Sequence, residues 1–385
     1  MRVAGVICEY NPFHNGHARH LRALREASGC DYVVCAMAGA FTQRGEAALL
    51  SKWARAEMAL RGGADAVFEL PTLFAVRDAE RFARGGVMLL HALGVVTHLG
   101  FGSESGDLEA LQHRAAATPD LAVIRAGLAE GKSLSRIHRE AMETPADAPN
   151  DTLAVQYLRA INALDAPMQP ILTPRQGAAY HDGALQSLAS ASAIRAAVWR
   201  GESVAGAMPG AAFALLERHL SAGACHAPGA LDQALLALLR TQTPAQIARA
   251  ADIGEGLEHR IARASQEATD REGLLALIKS KRYTRARLSR VLAQVLLGLT
   301  RELAAQNPAP TYARLLGFRG EAAPLMRAIK GCAAVPLVTR VAPARAALGE
   351  TLALDIRAGD LWALGRTEKA HRAGHADLTE RVVIV

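Results

Sequence analysis

The stretch that decides the fold is Glu9-Tyr10-Asn11-Pro12-Phe13-His14-Asn15-Gly16-His17, which follows an apolar run at residues 2–8. In the segment after it, His17, Leu21 and Leu24 fall on one face at helical spacing, as expected of a helix that packs on one side. The chain therefore begins with a buried strand, a tight turn and an amphipathic helix. The turn places two histidines and a glycine at the start of that helix.

The same alternation of strand and helix continues along the chain. Apolar runs at 31–37, 65–70 and 95–101 are separated by segments with helical spacing, which indicates βαβ units. Such units predict a parallel sheet with helices on both faces and right-handed crossovers. We therefore expect an α/β fold with a Rossmann-like, doubly wound parallel sheet. Ligands bind at the carboxyl edge of sheets of this kind.

The composition indicates a globular and soluble protein. The chain has 385 residues, of which 50% are hydrophobic, so two or three domains with a large core are expected. Glu9 stands where a signal peptide would continue its apolar run, and no later segment is long enough to span a bilayer. We therefore expect a cytoplasmic protein that has no membrane partner.

The cysteines indicate neither a disulfide framework nor a metal site. They are odd in number, widely spaced and free of CxxC pairs, which favours small buried side chains in a reducing compartment. The formal net charge of +7 favours an anionic partner, although a sequence rich in Ala and Arg can be basic without one. The cysteines are Cys8, Cys30, Cys35, Cys225 and Cys332.

Three regions are predicted along the chain. The α/β region covers residues 1–205 and includes a helix opening near Asp151, with Asn150 or Asp151 as its N-cap. Residues 206–330 are almost wholly helical by pattern, and the last helix there follows a break at Asn307-Pro308. Residues 331–385 are expected to form a small α/β piece. Its expected strands lie at 335–340, 381–385 and Leu352 to Ile356.

The turn at His14 to His17 has the chemistry of an anion site. A helix N-terminus offers unpaired N–H groups and partial positive charge, and Gly16 allows close approach of the backbone. Two imidazoles can donate to phosphoryl oxygens. A His-x-Gly-His turn after a first strand resembles the signature of nucleotidyl transferases, which attack the α-phosphate of a nucleoside triphosphate. His17 taken alone can also be a core histidine, because it shares a face with Leu21 and Leu24.

A second loop-to-helix junction supplies groups for the remaining phosphates. Ser190-Ala191-Ser192-Ala193-Ile194-Arg195 offers hydroxyls, N–H groups and a guanidinium. We therefore assign His14 and His17 as the catalytic pair, and Ser190, Ser192 and Arg195 as phosphate ligands. The residues do not predict a dedicated metal site in the protein, and Mg²⁺ is expected to arrive with the nucleotide.

Short, distinct sequence blocks are spaced along the chain in a characteristic order. They are Glu9 to His17, Gln43 to Glu46, Lys52 to Arg55, Glu69 to Pro71, Phe101 to Glu104, Pro149 to Asp151, Gly177 to Asp182, Ala189 to Arg195, Lys281 to Thr284, Leu316 to Phe318 and Leu354 to Ala358. Together these blocks resemble those of the bacterial tRNA(Met) cytidine acetate ligase family. The resemblance covers nearly the whole chain and implies the nucleotidyltransferase type of the α/β fold.

This resemblance also implies an activity. Acetate and ATP would give acetyl-adenylate and pyrophosphate, and the acetyl group would then pass to the wobble cytidine of elongator tRNA(Met), forming N4-acetylcytidine. The implied ATP site consists of one continuous segment and three separate residues. They are Ile7, Cys8, Glu9, Tyr10, Asn11, Pro12, Phe13, His14, Asn15, Gly16, His17, Ala18, Arg19 and His20, with Gly102, Asn150 and Arg175.

A basic segment in the helical region is the candidate RNA contact. Residues 279–290 contain six basic side chains and no acid, and their apolar face predicts that Arg287 and Arg290 point outward. We assign tRNA binding to Lys281, Arg282, Arg287 and Arg290. A solvated basic face without a partner is the alternative reading of the same pattern.

Several points stay open on the residues alone. Gln43-Arg44-Gly45 can close over acetate or nucleotide or form a flexible loop, and the general base of acetyl transfer is not identified. The alternative functions are a small-molecule adenylyltransferase of the same fold and a non-catalytic RNA-binding protein. Intact His14, His17, Ser190 and Arg195 favour an enzyme over the latter.

Overall fold

The computed structural model describes residues 1–117, 121–130, 132, 137, 140, 148–174, 189–254 and 256–385. Its strands are β1 (Val3–Cys8), β2 (Tyr32–Ala38), β3 (Ala66–Leu70), β4 (His98–Ser103), β5 (Gln169–Pro174), β6 (Ala313–Phe318), β7 (Leu337–Val338) and β8 (Val383–Ile384). The helices of the first half are α1 (Asn15–Ser28), α2 (Lys52–Arg61), α3 (Thr72–Ala75), α4 (Ala79–Ala92), α5 (Leu108–Ala116), α6 (Leu121–Ala129), α7 (Pro149–Leu164) and α8 (Ala191–Trp199).

The helices of the second half follow without a strand until β6. They are α9 (Gly210–Ser221), α10 (Asp232–Thr241), α11 (Pro244–Ile247), α12 (Leu257–Glu267), α13 (Arg271–Ile278), α14 (Arg285–Leu297) and α15 (Arg301–Gln306). After β6 come α16 (Ala323–Cys332), α17 (Val341–Leu364) and α18 (Ala376–Thr379). In the described part of the chain, no helix is both long and apolar enough to cross a membrane.

The predicted doubly wound sheet is confirmed. Strands β5, β4, β1, β2 and β3 lie side by side in that order and pair in parallel. The chain moves from β1 to one side through β2 and β3, and then returns to form β4 and β5 on the other side. This reversal opens a crevice at the carboxyl ends of β1 and β4, where ligands bind in such folds. The His14 turn leaves β1 at this edge.

Close contact between β1 and α4 explains one glycine of the helix. A Cβ on Gly86 would lie 2.6 Å from Cδ1 of Ile7, so only glycine allows the helix to pack this tightly on the strand. The two faces of the sheet are each covered by a hydrophobic cluster of buried side chains. The carboxyl edge is therefore presented by a rigid, dry scaffold.

Strand β6 was not predicted, and it changes the role of the chain's end. It pairs antiparallel with β3, and β7 and β8 both pair with β6. The sequence there, Ala-Arg-Leu-Leu-Gly-Phe, consists mostly of good helix formers, whose local preference is overridden by pairing with a buried strand edge. The expected strands within 335–340 and 381–385 are confirmed in shorter form as β7 and β8.

Two other local predictions were wrong. Leu352 to Ile356 is part of α17 and not a strand: Leu352, Asp355 and Ile356 are buried with helical spacing. Helix α7 begins at Pro149 with Ala148 at the N-cap, so neither Asn150 nor Asp151 caps it. The division of the chain into regions at 205 and 330 stays a prediction.

The helical segments between α10 and α14 have a hydrophobic core of their own. It contains leucines and isoleucines from α10, α12, α13 and α14, all nearly inaccessible to solvent, among them Leu236, Ile261, Leu275, Ile278 and Leu292. This core is distinct from the two clusters that cover the sheet. The helical part therefore stabilises itself by its own apolar burial.

A buried cluster of charges joins the C-terminal segment to the sheet. Lys52 Nζ lies 2.7 Å from Glu69 Oε1 and 2.5 Å from Asp377 Oδ1. Arg314 lies 2.9 Å from Glu69 and also pairs with Asp377. The side chains of all four are at most 4% exposed, so two cations and two carboxylates balance one another in the interior.

A second acid lies beside this cluster. Asp355 accepts hydrogen bonds from the Thr72 N–H at 2.7 Å and from the Tyr312 hydroxyl. Burial, together with the nearby charge of Glu69, raises the pKa of Asp355 to about 7. The charged form of Asp355 is therefore disfavoured, which keeps the charges of the cluster close to balance.

We expect Asp377→Asn to lower the free energy of unfolding by about 3–5 kcal/mol, because it leaves the charges of Lys52 and Arg314 undercompensated in the interior. Urea denaturation measures this change. Glu321→Gln is the control, since it removes one carboxylate from the exposed pair with Arg319 and should cost less than about 1 kcal/mol. Equal stability of the two variants would contradict the role given to the cluster.

Candidate active site

His14 is the N-cap of α1 and forms a capping box with His17. Its Nδ1 accepts a hydrogen bond from the Gly16 N–H at 3.1 Å, and the His14 N–H donates to Nδ1 of His17 at 3.3 Å. Since each Nδ1 accepts, the proton of each neutral ring resides on Nε2. The box thus fixes both tautomers and makes each Nε2–H a donor.

The two imidazoles are stacked and supported from below. Their centroids are 3.7 Å apart with an interplanar angle of 27°, and His17 also contacts the rings of Tyr10 and Phe13. His17 is half-buried, whereas Tyr10, Phe13 and His14 are buried. The aromatic support restricts ring rotation, so the pair is held in one orientation before any ligand binds.

Gly16 is required by the position of the His14 ring. A Cβ at residue 16 would lie 2.9 Å from Cε1 of His14 and 3.1 Å from its Nδ1. The imidazole folds back over the backbone of the turn, and any side chain at this position would displace it. The glycine of the motif therefore serves the histidine as well as close ligand approach.

The second junction is joined to the turn by Arg195. Its Nη1 donates to the backbone carbonyl of Asn11 at 2.8 Å, across 184 residues of sequence. Asn15 makes a further link, from Nδ2 to the Gly206 carbonyl at 2.9 Å. Burial lowers the pKa of Arg195, while Glu46 and Glu9 act in the opposite direction. The structure thus brings together the two segments that the sequence predicted to share a site.

Ser190 and Ser192 lie at the start of α8. Ser190 is its N-cap and accepts a hydrogen bond from the Ala193 N–H at 3.2 Å. Both serines are exposed, and Ser192 lies one turn before Arg195. The junction therefore combines a helix N-terminus, two hydroxyls on exposed residues and a guanidinium, the groups that bind phosphate oxygens.

Gly102 and Asn150 are placed on the other side of β1. Gly102 lies in β4, and Asn150 lies in the first turn of α7, where its N–H donates to Glu104 at 3.2 Å. Asp151 accepts from Ser103 and from the Glu104 N–H. Burial acts against its ionisation, yet these hydrogen bonds lower the pKa of Asp151. The end of β4 is therefore fixed to the start of α7 at the crevice.

The remaining predicted residues differ in position. Arg175 and the block from Gly177 to Asp182 lie outside the described residues. Arg19 is exposed on α1, and the Ile7 side chain packs against Gly86 on one face of the sheet.

In the part of the chain that the structure describes, no group of three or more His, Cys, Asp or Glu side chains could hold a metal ion.

Comparison with known proteins decides the family. The family model described as HIGH Nucleotidyl Transferase matches residues 1–377. A tRNA(Met) cytidine acetate ligase of Syntrophomonas wolfei is 35% identical over 98% of both chains. That of Acetivibrio thermocellus is 33% identical over 100% of both.

The chain belongs to the tRNA(Met) cytidine acetate ligase family.

Solved structures agree with this assignment over the full length. Thermotoga maritima TmcAL bound with alpha-thio ATP superposes with a TM-score of 0.92 at 30% identity, covering 100% of both chains. The apo form of the same protein gives a TM-score of 0.94 at 29% identity, again over 100% of both chains. The α/β nucleotidyltransferase fold predicted from the sequence is therefore confirmed.

Arg55 belongs to one of the blocks that carry the resemblance, but the sequence analysis gave it no role in the site. It is fully buried, and its guanidinium donates to the carbonyls of Leu50, Glu9, Ala38 and Gly39. Burial lowers its pKa to about 10. Arg55 thus ties the ends of β1 and β2 to the loop before α2. A signal was present: Lys52, Arg55 and Ala59 recur at helical spacing on the buried face.

Glu9 contributes its backbone carbonyl to Arg55 and its carboxylate to the loop after β2. Its Oε1 accepts a hydrogen bond from the Gln43 N–H at 2.6 Å. Burial raises the pKa of Glu9, whereas this hydrogen bond and the charges of Arg44 and Arg55 lower it. Glu9 therefore anchors the loop after β2 to the turn after β1.

The basic segment differs in part from its prediction. Lys281 and Arg282 are exposed, but Arg287 and Arg290 are half-buried, so their predicted outward orientation is wrong. Arg287 lies over the ring of Tyr283 and donates to the Asp252 carbonyl at 3.5 Å. Burial lowers the pKa of Arg290, whereas the negative charges of Asp78 and Asp252 raise it. The face opposite the leucines packs on other segments of the protein.

We expect Arg55→Met to lower the free energy of unfolding by about 3 kcal/mol, because buried carbonyls at the carboxyl edge lose their donor. Hydrogen exchange of residues 9–13 and 46–51 should become faster. Arg61→Met on the same helix is the control, since the Arg61 side chain is 45% exposed. Unchanged exchange in the Arg55 variant would show that the loops are held by other contacts.

Proposed function

We propose that this protein activates acetate with ATP and transfers the acetyl group to the wobble cytidine of elongator tRNA(Met), forming N4-acetylcytidine. The full-length similarity to proteins named tRNA(Met) cytidine acetate ligase carries this proposal. The geometry at the carboxyl edge supports its first step. The alternatives, a small-molecule adenylyltransferase and a non-catalytic RNA-binding protein, are not favoured by relatives that match over the whole chain.

The site is suited to an attack of acetate on the α-phosphate. Acetate is a weak nucleophile and the phosphate carries negative charge, so the protein must position both and offset charge on the phosphoryl oxygens. His14 and His17 present oriented Nε2–H donors at the N-terminus of α1. We assign them this role, with acetyl-adenylate and pyrophosphate as products.

The remaining parts of ATP are assigned to the two sides of the turn. Arg195, Ser190 and Ser192 would hold the departing pyrophosphate at the start of α8. Gly102 and Asn150 lie across β1, where the crevice can take the nucleoside. Mg²⁺ would enter with ATP, held mainly by phosphates and water, as is usual for this ion.

We expect His14→Asn to abolish most acetate-dependent ATP–pyrophosphate exchange, with a loss of about 10²-fold or more. Asn is a good N-cap, so this variant keeps a cap acceptor, whereas His14→Ala should also lose about 1 kcal/mol of stability. The exchange assay, paired with thermal unfolding, separates the two effects. Exposed His113→Ala is the control. Near-normal exchange in the Asn variant would contradict the assignment.

Transfer to tRNA requires an RNA contact, which we assign to Lys281 and Arg282 in the exposed part of the basic segment. Arg287 and Arg290 belong to the same proposal only as supports of that surface. We expect Lys281→Gln with Arg282→Gln to weaken tRNA binding and to reduce the slope of log K against log salt by about 1 per lost contact. Filter binding at several salt concentrations measures this.

The control exchanges two exposed basic residues elsewhere, Arg345→Gln with Lys369→Gln. It has the same change in net charge but lies outside the basic segment. If both double variants lose the same affinity, the attraction is due to net charge and the assigned contact is wrong.

A further inference from the structure

A cavity of about 510 Å³ lies between the α/β part and the helical part. One wall is the loop between β2 and α2, the second is α8, and the third is formed by residues 226–235, Arg271 and α14. The volume falls within the range of about 300–1,000 Å³ that is usual for small-molecule sites. Acetate, with four heavy atoms, would leave most of it empty.

The cavity adjoins the His14 turn through two contacts. Arg195, which donates to the Asn11 carbonyl, lies 3.6 Å from Glu46 on the cavity wall. Leu49, another wall residue, donates its N–H to Oδ1 of Asn11 at 2.8 Å. A group in the cavity is therefore separated from the turn by single side chains.

The cavity lies between the loop that follows β2 and α8, which follows β5 in the chain. Gly102 and Asn150, which mark the proposed nucleoside position, are not among its lining residues, whereas Ser192 and Arg195, assigned above to pyrophosphate, belong to its wall. The cavity therefore lies on the phosphate side of the site, where the acceptor can enter once pyrophosphate has left.

The lining suits a planar base. Phe41 and Trp199 contribute aromatic rings and the leucines of α14 an apolar wall, while Glu46, Asp232 and Arg271 contribute charge. Unstacked RNA bases are bound by aromatic faces and by hydrogen bonds to their Watson–Crick edges. A carboxylate accepts from the N4 amine of cytosine, and a guanidinium donates to its ring acceptors.

We propose that this cavity binds the unstacked cytosine of the acceptor RNA and that Glu46 accepts the proton that its N4 amine releases. This inference rests on the function proposed above. It assigns a binding position to the second substrate of that reaction. Arg271 would donate to the O2 and N3 edge, and Trp199 would stack on the ring.

The loop that carries Glu46 is held in place, which supports this assignment. Arg271 donates to the Gly45 carbonyl at 3.1 Å and to Ser289 Oγ at 2.5 Å, and Ser289 donates to the Arg44 carbonyl. Gly45 has φ of 71°, and a Cβ there would lie 2.6 Å from the Ser289 carbonyl oxygen. The Gln43-Arg44-Gly45 loop, whose role the sequence alone leaves open, is therefore anchored on the helical part, and Glu46 lines the cavity.

The chemical step is balanced as follows. The N4 nitrogen attacks the carbonyl carbon of acetyl-adenylate, and a C–N bond forms. The bond between that carbon and the phosphate oxygen breaks, and AMP leaves with the electron pair. The proton lost by the amine passes to the Glu46 carboxylate and then to solvent. Arg195 Nη2 lies 3.6 Å from Oε2 of Glu46, so a cation adjoins the accepting carboxylate.

The test separates the two half-reactions. Glu46→Gln should keep acetate-dependent ATP–pyrophosphate exchange and lose acetyl transfer from acetyl-adenylate to tRNA by about 10²-fold or more. Glu321→Gln is the matched control, because this exposed carboxylate pairs with Arg319 and does not line the cavity, so its loss should not affect transfer.

A second variant tests the base itself. Trp199→Ala should raise the KM for an anticodon stem-loop RNA by about tenfold or more. Trp199→Phe keeps an aromatic ring and should bring the KM most of the way back to that of the unchanged protein. Transfer at the unchanged rate in Glu46→Gln, or parallel loss of exchange and transfer, would overturn the proposal. Absence of exchange in the unchanged protein would instead refute the proposed function, and with it the acceptor.

Discussion

The structure depends on one constraint: helix α2 places two cations, Lys52 and Arg55, in the dry interior. A buried charge is costly unless it is paired and hydrogen-bonded. The carboxylates and carbonyls that compensate these two all come from outside the helix. Lys52 is neutralised by Glu69 of β3 and by Asp377 near the C-terminus. The helix, the sheet and the last segment of the chain can therefore reach their stable arrangement only together.

The same constraint shapes the site. Because Arg55 is satisfied by carbonyls at the ends of β1 and β2, it fixes the backbone from which the His14 turn departs. Arg195, on a helix that is distant in sequence, holds the turn in the same way, because its guanidinium donates to the Asn11 carbonyl. Reactive groups on loops are thus positioned by charge-assisted hydrogen bonds to backbone, which are stronger and more directional than neutral contacts.

Sequence reasoning succeeded where a local pattern carried the information. The strand, turn and helix around His14 followed from hydrophobic period and motif, and the early strands were found within a few residues. It was wrong where distant partners decided the outcome. Strand β6 has helix-forming residues but pairs with the edge of β3. The helical period places Arg287 on the outer face of its helix, whereas Tyr283 and Asp252 cover it. Secondary-structure propensity and hydrophobic periodicity describe a single segment, and neither indicates which other segments pack against it.

By itself, the sequence determined the α/β alternation, the anion-binding chemistry of the His14 turn and, through blocks spread along the chain, the family. These are local or cumulative properties that need no knowledge of contacts. Only the tertiary structure decided that the C-terminal strands complete the sheet and that Arg55 holds the carboxyl edge. It also decided that a cavity faces the turn beside Glu46. The reason is physical, since burial, charge compensation and cavities arise from residues far apart in the chain that meet only after folding.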